Sequence, residues 1–337
     1  MSSKQKTALV ISGGGAKGAF AVGVVKHLYS KYRNTGWFKI IGGSSTGALI
    51  SPFAALIAAP DLIGLKAFER LEYMYTHIKT SDILKKQNIF ELLINQHCLN
   101  KSDPLNKLLH RELRPEWFEW LQKPEAPDCY VVYVNYQTGQ KIAVKPKDEG
   151  MDREKFISAM LASASVPLVM EAIMIDNKEC YDGGVRDLLP FSNAIELGAE
   201  IIVPVFLGPE AFGSTDTLFK RMDKILLRTL DILLDESWRN DLDMAELINI
   251  GFRAKQELYS IFSNDQLTLN KIKNVFNKTE YEDLFEAKKR LIKIITGLRP
   301  DANLTHDSLT FDPVQMRSWV DLGEQKAKAI IQQSPFI

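Results

Sequence analysis

Residues 1–60 contain no aspartate and no glutamate, whereas Lys4, Lys6, Lys17, Lys26, Lys31, Arg33 and Lys39 are basic. Any ligand that needs an acidic group in this stretch is excluded, and the region is locally cationic. Over the whole 337-residue chain, 42 basic and 42 acidic residues give a formal net charge of +0, so the overall balance gives no support to nucleic-acid binding. Cysteine is scarce as well. Cys98, Cys129 and Cys180 are odd in number, scattered and without a CxxC pair, which argues against a disulfide framework or a thiolate metal cluster and for a reducing compartment. Long hydrophobic runs are also missing. The longest charge-free stretch, residues 40–60, runs through GGSSTG and carries Pro52, leaving about a dozen apolar residues where a membrane span needs about 20. Glycines interrupt the first hydrophobic run almost at once, so no signal peptide is expected and the protein reads as cytoplasmic.

What remains is an ordinary globular composition, 45% hydrophobic and 25% charged. Strand-like runs at residues 8–11, 39–41, 130–135, 141–144, 171–175 and 201–206 alternate with helical patterns at 19–31, 48–59, 65–77, 153–164 and 191–197. Strands separated by helices predict an α/β layer sandwich with a largely parallel sheet. YQTGQK, residues 136–141, predicts a hairpin, so part of the sheet is antiparallel. From about residue 217 to 298 the pattern becomes mainly helical, with heptad-like apolar positions at Met222, Ile225, Leu226, Leu230 and Leu233 and no strand. A last amphipathic helix starts at Asp312 and Pro313. The expected division is an α/β core over 6–210 and a helical extension over 211–337 packed on it.

Gly13, Gly15 and Gly18 match G-x-G-x-x-G between a strand and a helix. A dinucleotide site also needs an acid about 20 residues on, and none occurs before Asp61. A phosphate loop fails too, because no Gly-Lys-Ser/Thr follows. What does follow is the second strand running into Gly43-Ser44-Ser45-Thr46-Gly47, which is G-x-S-x-G in strand-to-helix context. Ser45 must be its centre, since centring on Ser44 would need glycine where Thr46 stands. Glycines at both flanks suit a crowded backbone, and helix N-terminal amides favour negative charge at the serine. The plainer reading is a glycine-rich turn with a capping serine.

A nucleophilic serine needs a base. His27, His77, His97 and His110 lie in or beside helical patterns, which leaves His306 in the NLTHDSL loop to complete a Ser-Asp-His order. The other candidate is Asp182 in ECYDGGVRDLLP, although Asp-Gly-Gly can be a hairpin turn and nothing more.

Taken in order, Gly13-Gly14-Gly15-Ala16-Lys17-Gly18, Gly43 to Gly47, and Asp182-Gly183-Gly184 resemble the patatin-like phospholipase family. SASVP and DLLPFSNAIELGAEIIVPV extend the resemblance, which covers roughly residues 6–210. It implies a three-layer α/β/α fold and a lipid acyl hydrolase with a Ser45–Asp182 dyad. Amides of Gly13, Gly14 and Gly15 would form the oxyanion hole, and Lys17, at the family's basic position, would contact the substrate head group. No metal or organic cofactor is implied. The substrate would be a phospholipid or another acyl-ester lipid, reached by transient contact with a membrane surface. Two stretches could dock there: the cationic first 60 residues, and RPEWFEWLQK with Trp117, Phe118 and Trp120, for which core packing is the plainer reading. A Ser-Asp-His esterase using His306, or a lipid-binding relative with incidental catalysis, remain the rival readings.

Overall fold

The computed structural model describes residues 5–32, 38–87, 98–211, 218–220, 222–276, 292–305 and 307–333. Its strands are β1 Thr7–Ile11, β2 Phe38–Ser44, β3 Lys85–Lys86, β4 Asn100–Lys101, β5 Asp128–Asn135, β6 Gln140–Val144, β7 Ile173–Ile175, β8 Lys178–Asp182, β9 Ile201–Val205 and β10 Lys293–Ile294. β3 and β4 form a small antiparallel pair. The others make one eight-stranded sheet in the order β10-β9-β1-β2-β5-β8-β7, with β6 also paired to β5. β10, β9, β1, β2 and β5 run parallel, while β6, β8 and β7 join through antiparallel pairs.

The parallel strands are near-continuous apolar runs because both of their faces are covered. Leu9, Ile11, Ile41 and Val203 pack into one layer, and Ala8, Val10, Ile40 and Ile202 into the other. The first layer holds the helices Gly18–Tyr32, Thr46–Leu56, Asp61–His77, Arg153–Ala164 and Pro313–Gln333; the second holds Phe191–Glu196 and Trp238 of the long helix Met222–Ile261. This is the three-layer α/β/α arrangement, with a largely parallel sheet and a helical C-terminal region.

The hairpin forms as expected, with Asn135 opposite Gln140. Several elements differ from the sequence expectations. β8 was not foreseen, because KECYD is polar and leaves its first residues exposed. β10 adds a short strand beside β9 in a region expected to be helical. Asp103–Glu112 and Pro115–Leu121 are further helices. Of the heptad-like positions, the two whose side chains are described are exposed: Ile225 is 48% exposed and Leu233 61%. Met222, Leu226 and Leu230 have side chains outside the described set.

The aromatic cluster is core. Trp117 and Trp120 are 2% and 4% exposed, and Phe118 is buried with them. The Trp117 ring meets Phe53 edge-on at 6.2 Å, and Phe118 lies 5.7 Å from Phe156. The helix Pro115–Leu121 therefore turns its rings inward onto the helices that follow β2 and β6, and they form no docking surface. Among the described residues no helix is long and apolar enough to cross a membrane. Trp117→Ala should destabilise the fold by about 3–5 kcal/mol in chemical denaturation; a variant as stable as the wild type would contradict this packing.

Candidate active site

The register of the sheet assembles the site. β1 and β2 are parallel neighbours with Ile11 opposite Gly43. Their following turns leave the sheet at the same edge, so Gly13 comes to face Ser45; a Cβ placed on Gly13 would lie 2.9 Å from Ser45 Cβ. β8 arrives from the other direction. β2 ends with Ser44 opposite Val132, and β8 ends with Asp182 opposite Tyr133, so the two strands meet end to end along one side of β5. β6 takes the other side. Neither strand can continue past the other.

The chain leaves β2 through Ser45 at φ 55° and ψ −126°, and the helix Thr46–Leu56 starts at once. That turn is tight enough for Gly43 and Gly47 both to rest on the Ile11 carbonyl, where any side chain would overlap it. Similarly, the chain leaves β8 through Asp182 into the short 3-10 turn Gly183–Val185, with Gly183 set against the Val132 carbonyl. The Ser45 side chain lies beside the Asp182 carboxyl in the same pocket and lowers its pKa. Asp182 Oδ1 accepts the Gly184 amide at 2.7 Å. Both side chains are buried. Burial pushes the Asp182 carboxyl up to about 7, and Ser45 and the Gly184 amide pull it back only in part.

The glycine loop faces this pair. The Gly13 amide points at the Leu188 carbonyl, 3.4 Å away, while the amides of Gly14 and Gly15 have no hydrogen-bond partner among the described residues. Gly15 adopts φ 56° and lies so close to the Ser308 carbonyl that a side chain would collide with it. Lys17 closes the short turn after it. Gly13, Gly14, Gly15, Lys17, Ser45 and Asp182 line one pocket. Leu49, Phe53, Leu105, Leu109 and Met170 give it apolar walls, and Arg228 and Asp231 line it as well.

Of the histidines, His27, His77 and His110 do not line this pocket, and His110 pairs with Glu154 at 2.6 Å. His97 and His306 lie outside the described residues. Cys98, Cys129 and Cys180 are buried and free. Among the described residues no group of three His, Cys, Asp or Glu side chains is placed to hold a metal.

Three serines at the site were not singled out from the sequence. Ser163 Oγ accepts the Ser45 amide at 3.0 Å and donates to the Val132 carbonyl. The Ser165 carbonyl accepts the Asp182 amide at 2.9 Å. Ser12 Oγ accepts the Leu207 amide at 3.1 Å, which ties the start of the glycine loop to the end of β9. Ser163 and Ser165 belong to the SASVP stretch that extends the family resemblance, but only the topology makes these serines neighbours of Ser45 and Asp182.

The crystal structure of VipD from Legionella pneumophila overlays with a TM-score of 0.47 and 12% identity, covering 98% of this chain and 67% of that one. At that level the overlap is a loose likeness, and no residue carries over from it. The family comparison is more specific. A family model described as patatin-like phospholipase matches residues 9–195, more than half of the chain, and its span takes in the glycine loop, the Ser45 turn and Asp182 to Gly184. The chain belongs to the patatin-like phospholipase family, a family of lipid hydrolases.

Proposed function

We propose that this protein is a lipid acyl hydrolase, of phospholipase A or lysophospholipase type, that cleaves a carboxylic ester through a Ser45–Asp182 dyad and an acyl-enzyme. The observation that carries the proposal is Ser45 beside the buried carboxyl of Asp182, in one apolar-walled pocket with Gly14 and Gly15, whose amides have no hydrogen-bond partner among the described residues. Asp182 takes the Ser45 proton as Oγ attacks the ester carbonyl carbon. The carbonyl oxygen becomes an oxyanion against the amides of Gly14 and Gly15, whose dipoles are already oriented. Gly13 joins them if it releases Leu188, to which it is held by a long bond. The tetrahedral centre collapses, the C–O bond breaks, and Asp182 returns its proton to the departing alcohol or lyso-lipid. Water then attacks the acyl-enzyme, giving a proton to Asp182, which passes it to Ser45 Oγ as the fatty acid leaves.

An ordinary aspartate, with a pKa of about 3.9, is a poor base for a serine hydroxyl. Burial brings Asp182 close to the working pH and does here what a histidine does in a triad. The apolar walls suit the acyl chain, and Lys17, which lines the pocket, would meet an anionic head group. In this reading the protein works from the cytoplasm on a membrane that it touches transiently, through basic residues of the first 60. A buried Asp182 beside Ser45, with its carboxyl raised to about 7, favours the dyad over an esterase using His306, and over a binding relative without its own catalysis.

Ser45→Ala and Asp182→Asn should each reduce hydrolysis of a phospholipid and neutral-lipid panel to background, with products read by mass spectrometry. His306→Ala should keep a near wild-type rate. Turnover surviving in Ser45→Ala would remove the nucleophile, and a large kcat loss in His306→Ala would restore the triad. Because Asp182 must be ionised to act, kcat/KM should rise with pH around a midpoint near 7. A rate already level from about pH 5 upward would contradict a buried aspartate base.

The same shift predicts a stability effect. The folded-state pKa lies above the unfolded one, so the stability contributed by the protonated carboxyl is fully present below about pH 4 and is lost as pH rises through about 7. Asp182→Asn stays neutral throughout. It should therefore gain thermal stability over the wild type as pH rises across that window, each pH unit being worth about 1.4 kcal/mol at most. A Tm difference between the two proteins that does not change with pH would show an unperturbed carboxyl.

A further inference from the structure

We infer that the C-terminal end of the helix Arg153–Ala164 is a positioning clamp, in which Ser163 and Ser165 hold the backbones of Ser45 and Asp182 at the spacing that proton transfer needs. The role rests on the reading of Ser45 and Asp182 as nucleophile and base. The Ser45 amide is the first past the end of β2, where the partner position on β5 passes to β8. The sheet ladder ends there, and the buried Ser163 hydroxyl takes that amide at 3.0 Å. The same hydroxyl donates to the carbonyl of Val132, the β5 residue opposite the last residue of β2. One side chain thus closes the seam between the two strand ends.

Two residues on, the Ser165 carbonyl accepts the Asp182 amide at 2.9 Å. Ser165 Oγ bonds back to the Leu161 carbonyl at 2.9 Å, which fixes the helix end itself. Nucleophile and base are therefore anchored to the C-terminal end of one packed helix, through its last turn and its cap, as well as to their separate strands. Pairing in this seam is not automatic. Ser44 Oγ, one residue before the nucleophile, is buried with no hydrogen-bond partner among the described residues. Ser45 also sits at φ 55°, in a region that a non-glycine residue keeps only when its surroundings hold it there. Ser163 is the side chain that does so from outside the turn.

The test is Ser163→Ala, read in two ways. Hydrogen exchange at the Ser45 amide reports the clamp without any substrate, and exchange should be faster in the variant. Steady-state hydrolysis of a soluble short-chain ester, normalised to active sites titrated with a fluorophosphonate, should show kcat lower by roughly 10- to 100-fold, as expected for small misplacements. KM should stay within about twofold, since the pocket walls are untouched. If the alanine variant does not fold, Ser163→Cys keeps the volume, weakens both bonds and should show faster exchange at the Ser45 amide and a lower kcat than the wild type.

A purely structural serine would lower Tm and leave kcat per active site at the wild-type value, and that result overturns the positioning role. Unchanged exchange at the Ser45 amide overturns the clamp itself. Turnover retained by Ser45→Ala would instead bring down the functional reading, while the exchange measurement would still decide whether the clamp exists.

Discussion

β5 is an eight-residue strand, and two others share one of its sides. β2 occupies that side as far as Val132, and β8, running the opposite way, occupies it from Asn135 back to Tyr133. Two chains that meet head-on cannot interpenetrate, so both must leave the sheet at adjacent positions. Ser45 and Asp182 are the residues at which they leave. Their contact is thus a consequence of where two strands end, and the strand lengths set it before any side-chain preference acts. The close approaches follow from the same collision: Gly43 and Gly47 rest on the Ile11 carbonyl and Gly183 on the Val132 carbonyl, all within the space left by the turning chains.

The junction also decides the electrostatics. A carboxyl at the meeting point of two strands, roofed by a glycine loop and an apolar pocket, loses most of its water. The Ser45 side chain and the Gly184 amide offset that loss only in part, so the group stays protonated to a higher pH than a surface aspartate. In the proposed mechanism the burial that costs stability near neutral pH also strengthens the base, so that folding energy is traded for reactivity.

How much of this was legible in the sequence depends on whether a requirement is local. A glycine needed for close backbone approach leaves its mark at its own position, so the three glycine motifs and Ser45 could be read directly. β1, β2, β5 and β9 were equally plain, since burial on both faces makes them largely apolar, whereas the two-residue β10 carries no such signal. β8 was not, because KECYD is only partly covered and mixes charged with apolar residues, and its pairing to β5 joins segments far apart in the chain. Trp117 and Trp120 show the reverse difficulty. Their composition suits a lipid interface as well as a core, and only the helix partners at Phe53 and Phe156 decide between the two. Ile225 and Leu233 had helical spacing but no partner surface, which periodicity alone does not reveal.

The glycine loop makes the last step. It follows β1 in the family-matched span, yet it is not held by that span alone. The Ala16 amide, just past the glycines, donates to the Ser308 carbonyl at 2.8 Å, and Gly15 packs directly on that same carbonyl. The helix that leaves the loop, Gly18–Tyr32, is in backbone contact with Pro313–Gln333: Gly23 lies on the Val320 carbonyl and Gly323 on the Phe20 carbonyl. Helices can come this close only where neither side offers a side chain. The conformation in which the Gly14 and Gly15 amides find no partner among the described residues is therefore supported from the C-terminal part of the chain, by residues that no motif marks. Ser45 and Asp182 are set by strand ends within the first 190 residues, whereas the glycine loop beside them depends on contacts more than 100 residues further on.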